Sequence, residues 1–213
     1  MSETWCWTSE AVLTLSLPGP LLPMSQRRLL AMADSLRSQA GLLDVVPGLH
    51  TISLVADLRQ LPAGELELLA RRAWRQARPL RDGVRTLELA VRYGGEQGPD
   101  LEAAAHALKL SSAQLVRAHS APLYEVACLG FLPGFPYLMG LPPELHLPRL
   151  AAPRLRVPAG SMGIGGAQTG VYPLASPGGW HLLGRTEQRL FDPSQTPAAW
   201  LLPGDRLRFV PLP

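Results

Sequence analysis

Two kinds of residue in this sequence could do chemistry. The first is a run of backbone-permissive positions, Gly160, Gly163, Gly165, Gly166 and Gly170, within the segment from Val157 to Trp180. Positions without side chains let main-chain N–H groups converge on an anion or a developing oxyanion, and the same glycines also suit tight turns and bulges. The second is a set of cations around them. Between Val126 and Thr186 the only acid is Glu144, against Arg149, Arg154, Arg156 and Arg185. Guanidinium forks hold carboxylates and phosphates through paired hydrogen bonds, so the segment suits an anionic ligand; arginines that solubilise an apolar surface would give the same count. His119 stands five residues before Tyr124 at the expected end of a helix. Its imidazole could move a proton near neutral pH, although a lone histidine is more often structural.

Other motifs exclude more than they assign. Ala159-Gly160-Ser161-Met162-Gly163 resembles a nucleophile elbow with alanine for the first glycine, and His181 and Asp192 follow downstream. The elbow needs a helix straight after its serine, and MGIGGAQTG is a poor helix because each glycine costs roughly 1 kcal/mol relative to alanine. Gly163-Ile164-Gly165 is followed by Gln168 where a dinucleotide fingerprint needs its third glycine. Lys109, the only lysine, lies in HALKLSS, so the chain has neither a P-loop for ATP nor a biotin-carrier lysine. Cys6 and Cys128 are the only cysteines and the five histidines lack metal-ligand spacing, so neither a disulfide framework nor a metal site is expected.

The net charge is +3, with nineteen arginines dispersed among acids, which is not a nucleic-acid footprint. LEAAAHALKLSSAQLVRAH has the length of a helix-turn-helix, but its second helix offers only Gln114, Arg117 and His119 as readers, so an ordinary helical hairpin is expected. No run of eighteen apolar residues occurs, and MSETWCWTSE lacks the basic and apolar regions of a signal peptide. The expectation is a cytoplasmic protein that binds neither membrane nor nucleic acid.

The elements that must position these residues follow from periodicity. EAVLTLSL reads as a strand, and a helix from Ser25 places Leu29, Met32, Ala33 and Leu36 on one face before Gly41 ends it. Two short strands flank Pro47-Gly48, and a helix from Ala63 to Ala77 turns Leu66, Leu69, Ala70 and Trp74 inward. This β-α-β-β-α order predicts a small two-layer α+β domain of split-βαβ type over residues 1–85, with GVRTLELAVRY, from Gly83 to Tyr93, as the next strand. Two helices follow, with Asp100 expected to cap the first and Ser111 or Ser112 the second. From Leu129 to Trp180, nineteen of fifty-two residues are Gly or Pro, yet interspersed Val, Ile, Leu, Tyr and Trp predict a packed, turn-rich β domain over residues 86–213. The last strand, RLRFVPL, would cover an edge of its barrel.

Several long motifs occur in an order that resembles one family. VRYGGEQGPDLEAAA, AHSAPLYEVACLGFLPGFPYLMGLP, PRLAAPRLRVPAGSMGIGGAQTGVYPLASPGGWHLLGRT and LFDP resemble the B subunit of bacterial ATP-dependent 5-oxoprolinases. The same family includes KipI-type kinase inhibitors, allophanate hydrolase subunit 1 and part of the urea carboxylase carboxyltransferase domain. The resemblance implies a cyclophilin-like β-barrel after the small α+β domain. It implies a homologous partner, the C subunit, and an A subunit that uses ATP, this chain binding no cofactor itself. It further implies one cleft for a small anionic amide, with His119 and Tyr124 as catalytic residues and Arg149, Arg156, Ser161, Gln168, Tyr172 and Trp180 as binding residues. Opening of 5-oxoproline to glutamate is the leading activity; inhibition of a histidine kinase and a urea or allophanate pathway role are the alternatives.

Overall fold

Apolar residues in the N-terminal unit, Met1–Gly83, alternate along its strands and recur every third or fourth position along its helices, so sheet and helices share one core. The computed structural model describes residues 3–79 and 85–213. This unit contains β1 (Thr4–Ser9), β2 (Val12–Ser16), α1 (Pro23–Leu36), β3 (Leu42–Pro47), β4 (Thr51–Ala56) and α2 (Ala63–Gln76). Leu13, Leu15, Ile52 and Leu54 point from one sheet face onto Leu29, Met32, Ala33 and Leu36 of α1 and Leu66, Ala70 and Trp74 of α2. Leu69 is half-buried, and α1 stops at Leu36, short of Gly41.

The sheet order is β1-β2-β4-β3, antiparallel throughout. β2 and β3 therefore run parallel with β4 between them, joined through α1, which is a split βαβ unit. The remaining edge place is taken by β1, a strand near the start of the chain that periodicity does not announce. Its alternating Trp5 and Trp7 are only half-buried, and Trp7 Nε1 donates to Glu67 of α2 at 2.8 Å.

The C-terminal unit, Val84–Pro213, opens with β5 (Thr86–Tyr93), α3 (Leu101–Ala107), α4 (Ser112–Ser120), β6 (Tyr124–Leu129) and β7 (Pro136–Met139). It continues through β8 (Arg154–Val157), β9 (Ser161–Gly165), β10 (Gln168–Val171), β11 (Ser176–Gly178), β12 (His181–Arg185) and β13 (Arg206–Leu212). Gly83 and Val84, expected at the start of β5, lie outside the described residues. Seven strands close into a barrel in the order β10-β7-β6-β13-β5-β12-β9, and β8 pairs with β11 as a separate ribbon. β13 lies parallel to β5 and antiparallel to β6, so the last strand fills the gap that would otherwise leave two edges unpaired. Val91, Val126, Met162, Ile164, Val171, Leu207 and Phe209 are among the side chains filling the interior.

Ser111 caps α4 through a reciprocal box, its Oγ accepting from the Gln114 N–H at 3.2 Å while Gln114 Oε1 accepts from the Ser111 N–H at 2.7 Å. Asp100 corrects the other expected cap. Its carboxylate accepts no helix amide; it takes Arg154 Nη2 at 2.6 Å and the Leu182 N–H at 2.7 Å, joining the start of α3 to β8 and β12.

Asp205 performs a similar task at the other end of the barrel. It is buried and accepts from Arg85 Nε at 3.0 Å, from Arg85 Nη2 and from the Leu202 N–H at 2.8 Å, which sets the turn entering β13. Asp205→Ala should destabilise the chain by roughly 2 kcal/mol, the scale of losing charged hydrogen bonds at a buried acceptor, read as a lower urea midpoint. An unchanged midpoint would show that the turn forms without the carboxylate.

Candidate functional site

His119, at the end of α4, is fully buried inside the barrel. Its hydrogen bonds determine its tautomer. Thr169 Oγ1 donates its single proton to the Gly163 carbonyl at 2.9 Å, so His119 Nε2, 2.9 Å away, must carry the hydrogen that Thr169 accepts. Nδ1 is then bare and accepts from the Tyr93 hydroxyl at 2.9 Å. Phe209 stacks on the ring at 4.9 Å, and Tyr124 O–H donates to the His119 carbonyl at 2.7 Å.

Burial pushes the His119 pKa down to about 3, because a second proton would place an unsolvated charge in the barrel. Burial also raises the Tyr93 and Tyr124 phenols well above their ordinary range. This corrects the catalytic expectation for His119 and Tyr124. Both nitrogens of the imidazole are engaged by protein groups, the ring is shut from solvent, and Tyr124 serves the backbone of α4. Together they fasten a helix to the barrel.

The glycines of β9 and β10 act on the opposite side of the same wall. Met162, Ile164, Thr169 and Val171 point inward, and Gly163, Gly165, Gln168 and Gly170 alternate with them outward. The Trp180 indole lies directly on Gly165, where an added Cβ would come within 2.4 Å of it, and on Gly170, where the added Cβ would stand 3.1 Å from Trp180 and 3.2 Å from Phe135. On this shelf the rings meet edge to face: Phe135 with Trp180 at 5.4 Å, with Tyr172 at 5.2 Å and with Tyr137 at 5.1 Å. Phe131 closes the cluster at its exposed side, 5.5 Å from Phe135, with a left-handed backbone (φ 66°) that is uncommon for a residue with a side chain.

Burial raises the Tyr172 and Tyr137 phenols, and the positive charge of Arg149 opposes the rise at both. Arg149 is exposed and has no ion pair among the described residues. Phe135, Tyr172 and Trp180 are themselves buried as a small core, with Tyr137 half-buried and Phe131 exposed at its edge.

Of the expected binding residues, the structure packs Tyr172 against Trp180, with Gln168 on the outward face of β10 and Arg149 exposed before β8, its charge acting on the Tyr172 phenol. Arg156 is exposed on the β8–β11 ribbon, and Ser161 is buried at the start of β9 opposite Arg185. Ser161 leads into a strand rather than a helix, while His181 Nε2 meets the Pro148 carbonyl and Asp192 accepts from Ser194, so no elbow or triad forms. Phe131, Phe135 and Tyr137 were missed as site residues; three aromatics spaced through GFLPGFPY, among glycines and prolines, are the signal that carries them. Among the described residues, no group of three or more His, Cys, Asp or Glu could hold a metal ion, and no helix is long and apolar enough to cross a membrane.

Residues 4–201 match the family model of the carboxyltransferase domain, subdomain C and D. The chain is 46% identical over 214 residues to the B subunit of 5-oxoprolinase from Escherichia coli O157:H7, covering 99% of this chain and 97% of that one. It is 42% identical over 202 residues to the B subunit of 5-oxoprolinase from Haemophilus influenzae, covering 95% and 94%. Among solved structures it superposes on TTHA0988 with a TM-score of 0.82 at 40% identity, over 95% of this chain and 40% of the other, so it spans about two fifths of that longer protein. The urea amidolyase of Kluyveromyces lactis shares the fold, with a TM-score of 0.81 at 16% identity over 99% of this chain and 15% of that one.

Two outcomes follow from this geometry. Gly165→Ala should displace Trp180 and destabilise the chain by about 1–3 kcal/mol, the usual cost of overpacking, with a shifted tryptophan emission; unaltered emission and stability would refute the shelf. His119 stays neutral in the folded chain down to about pH 3, whereas an unfolded histidine takes up a proton below about pH 6.5. The unfolded state thus binds more protons, and stability falls as pH drops through that window. His119→Phe should be less stable at neutral pH but show a shallower loss between about pH 6.5 and 4, measured as urea midpoints; an unchanged acid slope would contradict the sealed, neutral imidazole.

Proposed function

The chain belongs to the carboxyltransferase-domain family, subdomain C and D, and on that premise we propose that it works as the B subunit of a 5-oxoprolinase. The relatives' names favour this reading over a kinase inhibitor or a urea-pathway component. One observation carries it to the level of residues: Arg149 is exposed, with no ion pair among the described residues, and its charge acts on both the Tyr137 and Tyr172 phenols at the edge of the Phe135–Trp180 cluster. 5-Oxoproline is a five-membered lactam with one carboxylate. In this proposal the carboxylate takes the Arg149 fork, the ring lies against the exposed edge of the aromatic cluster at Phe131, and the half-buried Tyr137 hydroxyl hydrogen-bonds the lactam carbonyl.

This chain then binds and orients rather than drives the reaction. ATP is used by the A subunit, in keeping with a sequence whose only lysine is outside any phosphate loop. His119 is held neutral and internal, so the base that activates water comes from the partner side of the cleft, contributed by a homologous C subunit. An interface between the two should bury at least about 1,000 Å², the usual threshold for a specific complex.

In a reconstituted complex of all three proteins, Arg149→Ala should raise KM for 5-oxoproline by roughly tenfold or more, with a smaller effect on kcat, since a charged hydrogen bond to the ground-state carboxylate is lost. Arg149→Lys should recover part of that loss, because it keeps the charge and loses the fork. The isolated chain should neither hydrolyse ATP nor open the lactam. Normal kinetics in the Arg149→Ala complex would remove the assignment of this surface to the substrate, and full turnover by the single chain would remove the division of labour.

A further inference from the structure

The barrel seam between β5 and β12 is zipped at one end only. β5 pairs with β13 all the way from Thr86 to Arg92, but it meets β12 only through Tyr93 opposite Gly184 and Arg92 opposite Arg185. After Arg185 the chain turns away, the Thr186 N–H donating to the Gly160 carbonyl at 2.9 Å. One bond then decides which way the rest of β5 faces. The Arg206 N–H donates to the Arg85 carbonyl at 2.8 Å, and in a parallel ladder this turns the backbone groups of Arg85, Leu87, Leu89 and Val91 toward β13. Glu88 and Ala90, between them, turn their N–H and C=O groups the other way, where β12 has already left.

Those groups have no hydrogen-bond partner among the described residues, and both residues are exposed. A groove of about 1090 Å³ follows the same edge, lined by Glu88, Leu89 and Ala90 together with residues 186–189, all within the C-terminal unit. A free strand edge presents donors and acceptors at the spacing of another extended backbone, and the small side chain of Ala90 leaves it unobstructed.

The end of the groove is cationic. Arg92 and Arg185 face each other across the zipped end of the seam, and both line the groove. Arg185 spends Nε–H on the Ala159 carbonyl, and Arg92 spends Nη1 on the Pro213 carbonyl at 3.1 Å. Their remaining N–H groups have no acceptor among the described residues. The third arginine of the lining, Arg189, is paired with Asp192, and the lining acids are Glu88 and Glu187.

We propose that this groove takes the C-terminal end of an extended peptide, added to β5 as a parallel strand with its terminal carboxylate on Arg92 and Arg185. Two observations select a chain end in that direction. β12 occupies the next place along β5, so an added strand must stop at Arg185. An antiparallel strand would bring its amino terminus to the two arginines, whereas a parallel one brings its carboxylate. Main-chain bonds to Glu88 and Ala90 supply affinity for extended backbone of any sequence, and the arginines supply the requirement for a free terminus. The site is independent of the oxoprolinase reading.

The test is titration of the full chain with acetyl-Ala-Val-Thr-Val as the free acid and, separately, as its C-terminal amide. The acid should bind at least about tenfold more tightly, and amide exchange at Glu88 and Ala90 should slow when it is bound. Ala90→Pro removes a donor that faces the groove and none that faces β13, so it should abolish binding with an unchanged circular dichroism spectrum. Arg185→Gln keeps a donor for the Ala159 carbonyl and should shrink the preference for the acid to less than about threefold. No saturable binding of the acid at about 1 mM, equal affinity for acid and amide, or binding that leaves exchange at Glu88 and Ala90 unchanged would overturn the proposal. Undiminished binding by folded Ala90→Pro, or an undiminished preference for the acid in Arg185→Gln, would do the same.

Discussion

The structure of the C-terminal unit depends on burying one imidazole in a single protonation state. A neutral histidine offers one donor and one acceptor, and His119 spends both on fixed partners: Nε2–H on Thr169 and bare Nδ1 on Tyr93. Thr169 passes its own hydrogen to the Gly163 carbonyl, so the chain of bonds has a direction and ends on backbone. It ties α4 to β5, β9 and β10, and the Tyr124 hydroxyl ties the same helix to β6. Buried polar chains of this kind specify geometry because any rearrangement leaves a donor or acceptor stranded in low dielectric. The same completeness removes His119 from acid–base chemistry, since neither nitrogen has capacity to exchange.

From that fixed wall the aromatic surface follows. Thr169 faces inward to meet His119, so its neighbours Gln168 and Gly170 must face outward, and the pairing of Gly170 with Gly163 and of Gln168 with Gly165 sets a nearly bare patch on the outer side of β9 and β10. Trp180 and Phe135 occupy that patch at distances a methyl group would forbid. Of the glycines that suggested an oxyanion hole, Gly165 and Gly170 seat rings, Gly163 lies against the His181 carbonyl, and Gly160 and Gly166 hold left-handed backbone. Lack of volume matters at the first three and backbone freedom at the last two.

What could be read in the sequence was whatever a short window contains. Strand alternation and helix periodicity placed β2, β4, α1 and α2, and the long family motifs carried the barrel. β1 escaped because TWCWTS alternates two half-buried tryptophans with exposed residues, a weak version of the strand signal at an edge. Asp100 looked like a helix cap by position, but its partners, Arg154 and Leu182, lie 54 and 82 residues away. His119 failed for the same reason: its meaning is set by Tyr93, 26 residues before it, and Thr169, 50 after it. Residue type announces that a group can titrate; only the fold decides whether it is allowed to.

The arginines make the corresponding point about charge. Counting Arg149, Arg154, Arg156 and Arg185 against one acid suggested a general affinity for anions, yet two of the four already hold scaffold groups. Arg154 holds Asp100, and Arg185 donates through Nε to the Ala159 carbonyl at 2.8 Å. Both brace the glycine-rich segment from its two ends. Arg156 contributes only a diffuse field from an exposed strand, screened within about 10 Å at 0.1 M salt. Arg149 alone among the four draws on both the Tyr137 and Tyr172 phenols. A planar carboxylate is oriented better by the fork of one guanidinium than by four dispersed cations, because geometry rather than total charge separates a bound carboxylate from a passing one. The excess of arginine in this half of the chain is thus divided between guanidiniums that already hold a carboxylate or carbonyl of the scaffold and those left exposed.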